Sequence, residues 1–138
     1  MFANCECVII PPALPATTLS KWCYEGMFSG CTSLTLATAL PATRLAKRCY
    51  RNMFNSCTSL TTAPELPATI GADECYMSMF YGCSNLNYIK AMFDPNYNTS
   101  YWVENVAANG TFIKNGAASW STGRSGIPEG WTVEIATS

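Results

Sequence analysis

The 138 residues make one domain-sized chain, long enough to bury a continuous core without metals or staples. Only 12% are charged and the net charge is -1, which leaves no basic footprint for nucleic acid or for an anionic membrane surface. The 49% of hydrophobic residues include no run near the roughly 20 needed to span a bilayer, and the absence of histidine removes the commonest general base and metal ligand.

The start, Met1-Phe2-Ala3-Asn4-Cys5, lacks the basic opening and apolar run of a signal peptide. It reads instead as the middle of a repeating unit, because Leu14-Pro15-Ala16-Thr17 recurs as Leu40-Pro41-Ala42-Thr43 and as Leu66-Pro67-Ala68-Thr69, at a spacing of 26 residues. Cys23-Tyr24, Met27-Phe28, Cys31 and Leu34 recur in step as Cys49-Tyr50, Met53-Phe54, Cys57 and Leu60, and as Cys75-Tyr76, Met79-Phe80, Cys83 and Leu86. Met1-Phe2, Cys5 and Val8 hold the same places one unit earlier. A repeat array normally closes with a polar capping unit. A start without one predicts a piece of a longer array, with an open first unit available for end-to-end self-association.

Within each unit, Leu19, Cys23, Met27 and Cys31 lie four apart with Tyr24 and Phe28 beside them, which predicts an amphipathic helix with Lys21, Glu25 and Ser29 on its solvent side. Ser33 to Leu36, Ser59 to Thr62 and Asn85 to Tyr88 are short and β-competent, predicting one strand per unit. One strand and one helix bury nothing alone, but stacked units do. Strands about 4.8 Å apart opposite helices about 8 to 10 Å apart predict a curved array with its strands inside.

In the third unit Gly71 replaces Leu19 and Leu45, a loosening of the consensus near the end of the array. After Met92 the repeat stops and Asp94-Pro95-Asn96 brings turn chemistry. Val103 to Val106 predicts a short helix, Thr111-Phe112-Ile113 and Trp131-Thr132-Val133 a small hairpin. Trp102, Phe112, Trp120 and Trp131 are the expected plug over the last unit.

The pattern Leu-Pro-Ala-Thr, Cys-Tyr, Met-Phe, Cys-Thr-Ser-Leu resembles the BspA-like leucine-rich repeats of bacterial surface proteins, in the variant common among gut Bacteroidetes. The tail, with Gly110-Thr111-Phe112, Trp120 and Gly126-Ile127-Pro128-Glu129-Gly130-Trp131-Thr132-Val133, is similar to the segment that closes such arrays. The expected fold is therefore an α/β leucine-rich-repeat solenoid, with parallel strands on a concave side and short helices on a convex side, over residues 1–92. A small α+β cap over 93–138 completes it. The resemblance implies a secreted or cell-surface location and a role in adhesion; it supplies no catalytic residue.

No side-chain constellation predicts catalysis, a cofactor or a metal. Only Cys5-Glu6-Cys7 approaches zinc-ligand spacing, and it is one residue short. Helix-borne Cys23, Cys49 and Cys75 are expected too far apart for disulfides. At Cys5, Cys31, Cys57 and Cys83 bridging stays open, although parallel side chains favour unpaired thiols behaving as small apolar residues. Cys7 has no counterpart in other units and is the expected reactive thiol. The predicted binding face is the outward strand row Thr35, Thr61 and Asn87 with Ala37, Ala63 and Ile89 two places on, and Trp22 on the convex side. The function this supports is non-catalytic binding of a host or bacterial surface protein or glycan. The alternative is a structural spacer segment of a larger surface protein.

Overall fold

The computed structural model describes residues 14, 17–68, 71–95 and 97–136; the incomplete first unit, with Cys5 and Cys7 and the end expected to self-associate, lies outside them. The 26-residue repeat is realised as coils stacked directly on one another, but the predicted helices are not formed. Residues 20–31, 46–57 and 72–83 are successions of tight turns, and a three-residue 3-10 helix, Tyr97–Thr99, is the only helical element among the described residues.

The backbone explains why. Every fourth residue is left-handed: Trp22, Gly26 and Gly30 in the first coil, Arg48, Asn52 and Ser56 in the second, Glu74, Ser78 and Gly82 in the third. A left-handed residue is what the third position of a type II turn requires, and such turns close at Cys23 N–H to Ser20 O (3.3 Å), Met27 to Tyr24 (3.2 Å) and Cys31 to Phe28 (3.0 Å). The N–H groups in between point across the stack. Tyr24 donates to Cys49 O (3.0 Å), Gly26 to Arg51 O (2.8 Å) and Phe28 to Met53 O (2.9 Å), and the second coil repeats this onto the third. An α-helix would spend all these donors on itself; here half of them tie each coil to the next. Left-handed backbone costs a non-glycine residue about 1–2 kcal/mol, so glycine at 26, 30 and 82 and asparagine at 52 relieve several of the strained positions.

The inward residues match the sequence reading. Cys49, Met53, Phe54, Cys57 and Leu60 are fully buried, as are Cys75, Met79, Phe80, Cys83 and Leu86. Because one coil sits directly over the next, like rings meet: Tyr24 on Tyr50 and Tyr50 on Tyr76 at 6.2 and 5.8 Å, Phe28 on Phe54 and Phe54 on Phe80 at 5.6 and 5.8 Å. Each stacked pair is worth about 0.5–1.5 kcal/mol beyond the area it buries. The turn side is thus spaced like a sheet, and the packing reason for a curved array with helices outside disappears.

The strand side also departs from expectation. Four-residue strands form at β1 (Tyr88–Ala91), β2 (Thr111–Lys114) and β3 (Thr132–Ile135). Residues 33–36 and 59–62 form none, contributing only an isolated bridge from Thr62 to Tyr88. The three strands are parallel in the order β1-β2-β3, pairing Tyr88 with Thr111 and Thr111 with Thr132. The tail is therefore neither a hairpin nor an α+β cap. It continues the stack in shorter coils, with 101–105 in turns where a helix was predicted. Tyr76, Ser78, Phe80 and Gly82 donate to Asn98, Ser100, Trp102 and Glu104 at 2.8–3.1 Å, and Tyr101 and Asn105 take up the left-handed positions.

Gly71 belongs to this change of coil length. A Cβ there would stand 2.8 Å from the Asn98 amide and 3.2 Å from Cys75 Sγ. The leucine of the other units is missing because the buried Asn98 of the next coil occupies its space. Trp102 and Phe112 are fully buried, Trp131 nearly so, and Trp120 packs against the core. Trp102 lies across Tyr76, Phe80, Phe93 and Phe112 at 5.8–6.2 Å, tilted instead of stacked.

Candidate binding surfaces

The cysteines were the obvious chemical candidates, and the structure turns them inward. Cys23, Cys49, Cys57, Cys75 and Cys83 are free thiols, Cys23 half-buried and the other four buried, and Cys31 is buried as well. Separation does not keep them apart as predicted, since the coils that carry them are directly hydrogen-bonded. Direction matters instead: the Cys57 thiol donates to Phe28 O at 3.1 Å and the Cys83 thiol to Phe54 O at 2.9 Å, each aimed at the previous coil's backbone. Burial pushes Cys49 and Cys57 up to about 12 and Cys75 to about 11, and raises Cys83 further. A nucleophilic or metal-binding thiol must ionise, and these are held protonated. Among the described residues no group of three or more Cys, Asp or Glu side chains is placed to hold a metal ion.

The predicted strand-side face divides in two. Thr35, Thr61 and Asn87 are exposed as expected. Ala37 is half-buried, while Ala63 at 6% and Ile89 at 0% exposure point into the core. Asn87 comes just before β1, in which Tyr88 and Lys90 alternate outward and Ile89 and Ala91 inward. A one-residue offset sends a side chain to the opposite face. The spacing of three from Leu34 to Ala37, from Leu60 to Ala63 and from Leu86 to Ile89 is the signal that could have revealed the offset, since an unbroken strand would put its core residues two apart.

The actual face consists of adjoining pairs: Thr35 with Leu36, Thr61 with Thr62, Asn87 with Tyr88, continued by Thr111 and Thr132 on β2 and β3. Leu36 is 57% exposed, and sequence reasoning missed it together with Tyr88 and Lys90. Lys90 reaches Glu65 at 3.6 Å. Beside this face a cleft of about 340 Å³ is walled by Ala37, Leu40, Pro41, Pro64 and Pro67, rigid side chains that lose little entropy when a ligand settles on them.

The turn side carries most of the charge of the first three coils. Lys21, Lys47 and Asp73 occupy equivalent places, as do Trp22, Arg48 and Glu74. Trp22 is 56% exposed in a left-handed conformation, unusual for so bulky a residue. The Arg48 guanidinium bonds the Glu74 carboxylate, and Arg51 stands 3.9 Å away. The Arg48 hydrogen bond, with the charges of Arg48, Arg51 and Lys47, holds the Glu74 carboxyl below the usual carboxylate range. Further along, Arg124 lies 4.6 Å over the Tyr101 ring and 3.9 Å from Glu104.

No helix among the described residues is long and apolar enough to cross a membrane. Comparison with protein-family models, curated proteins and solved structures finds no match to this chain.

Proposed function

We propose that this chain is a non-catalytic binding module of a secreted or cell-surface protein, recognising a protein or glycan through the strand-side ladder of Thr35, Leu36, Thr61, Thr62, Asn87 and Tyr88. The observation that carries this reading is the regular presentation of short hydroxyl and amide side chains, with one aromatic and one exposed leucine, on coils fixed to one another by backbone hydrogen bonds. Such side chains offer polar partners and stacking area at small entropic cost. The thiols of Cys49, Cys57, Cys75 and Cys83 are buried and protonated, which favours recognition over chemistry in these coils. The likeness of the repeat to BspA-like units supports a surface location.

A second reading is favoured by the like-on-like stacking of the core: a structural spacer in which stacking itself is the selected property. A screen of the purified chain against immobilised matrix proteins and glycans separates the two. The binding reading expects saturable binding that falls at least tenfold in a variant carrying Thr62→Lys and Tyr88→Ala. A spacer shows no saturable partner. A catalytic activity abolished by a single substitution overturns both.

A further inference from the structure

Charge is distributed unevenly along the stack. Between residues 17 and 60 the chain carries Lys21, Arg44, Lys47, Arg48 and Arg51 against Glu25 alone; between 61 and 136 it carries seven carboxylates against Lys90, Lys114 and Arg124. Much of this lies on the turn side. Its first coil shows Lys21, Trp22 and Glu25, its second Lys47, Arg48 and Arg51, its third Asp73 and Glu74, and its fourth Tyr101 and Glu104, followed by Arg124. The face is basic in the second coil, acidic in the third, and carries an exposed aromatic residue in its first and its fourth, Trp22 at 56% and Tyr101 at 41%.

We infer that the turn side is a self-recognition surface on which two copies of this chain pack antiparallel about a two-fold axis. An axis between the second and third coils sets the second coil of one copy against the third of the other, and the first against the fourth. Lys47 then meets the partner copy's acidic third coil, and the first coil, with Lys21, meets the partner copy's fourth coil, which carries Tyr101 and Glu104. Trp22 meets an aromatic ring already lying under a guanidinium, a setting in which indole and cation attract. The face is complementary to its own inverse, the condition for an isologous contact, and an arbitrary acidic or basic partner would match only half of it. A net charge of -1 leaves little overall repulsion between copies. Arg48 and Glu74 are already paired within one copy, so the charges free to act between copies are chiefly Lys21, Glu25, Lys47 and Asp73, all exposed. Exposed pairs are weak and screened; the association is therefore modest and salt-sensitive.

This surface lies away from the strand-side ladder, so the inference stands or falls independently of the proposed function. The test is analytical ultracentrifugation of the full chain under reducing conditions, at about 0.01 M salt, where the screening length is about 30 Å, and at about 1 M, where it is about 3 Å. The wild type is expected to form dimers at low salt and dissociate at high salt. Lys47→Glu and Asp73→Lys, both at exposed positions, should each weaken dimerisation at least tenfold. The doubly substituted chain should dimerise again, and an equimolar mixture of the two single variants should associate although neither does so alone. A wild type that stays monomeric at low salt up to its solubility limit overturns the inference. So does association that ignores both salt and the single substitutions, which would point instead to the exposed β3 residues Val133 and Ile135.

Discussion

The coils between residues 20 and 86 and those beyond residue 92 solve the same packing problem by different means. In the first region each coil has the same length, so cysteine faces cysteine and ring lies parallel to ring, with interplanar angles of 2° to 28°. In the second the coil shortens, and the β1–β2 register steps 23 residues where the repeat steps 26. The like-on-like ladders of cysteine, tyrosine and phenylalanine end there. Their place is taken by tryptophans at 51° to 78° to the tyrosine and phenylalanine rings they touch, and the ladder on the strand side becomes a continuous three-stranded sheet. Repetition gives register at no cost in specificity; where it ends, a few large aromatic side chains and a longer hydrogen-bonded ladder maintain the stack.

The two regions should therefore fail under different insults, and the largest effect is expected from alkali on the repeating coils. Cys49, Cys57, Cys75 and Cys83 hold their protons in the folded chain up to about pH 11 or beyond, whereas an unfolded thiol releases its proton near pH 8.5. The unfolded state then binds fewer protons, and stability falls as pH rises through this window. Each thiol contributes about 1.4 kcal/mol per pH unit, so urea denaturation under reducing conditions should show a loss of several kcal/mol between neutrality and about pH 10. Replacing the four by alanine should flatten that slope, whatever it does to stability at neutral pH.

Next in size is the removal of Trp102, whose ring packs against Tyr76, Phe80, Phe93 and Phe112. Its indole Nε1–H donates to Gly126 O at 2.9 Å and its ring is fully buried, so Trp102→Ala should cost about 3–5 kcal/mol while leaving the alkaline slope intact. A cost below about 1 kcal/mol, the range of a surface change, would mean that the shorter coils do not depend on this plug.

The smallest expected effects discriminate most sharply between turns and helices. Gly26 is left-handed and a Cβ there would meet nothing within 4 Å. Gly26→Ala should destabilise by about 1 kcal/mol through backbone strain alone, and Ser78→Gly, at another left-handed position, should stabilise by a few tenths to about 1 kcal/mol. In a helix both signs reverse. Urea midpoints for the two variants provide the comparison.

The repeat length and the buried residues were legible in the sequence because direct stacking requires like residues at like positions. The conformation of the Leu19–Cys31 stretch was not, because apolar residues four apart also fit one side of a helix. The distinguishing marks are small: a period of four instead of 3.6, and glycine, asparagine or serine recurring at 26, 30, 52, 56, 78 and 82, where helix propensity is poor. For the tail, the chain between Ile113 and Trp131 is far longer than the two to five residues typical of a hairpin loop, which argued for a further coil. The candidate face was legible at Thr35, Thr61 and Asn87 and lost at Ala63 and Ile89, because the buried Leu86 and Ile89 lie three residues apart and the alternation is offset by one.

The account rests on backbone hydrogen bonds that run between coils, and NMR can observe them directly as scalar couplings across the bond. The amide nitrogen of Phe28 should couple to the carbonyl carbon of Met53, and that of Phe54 to Met79, matching N···O distances of 2.9 Å in both cases. Couplings from Phe28 to Tyr24 and from Phe54 to Tyr50 instead, the signature of α-helical segments, would contradict it.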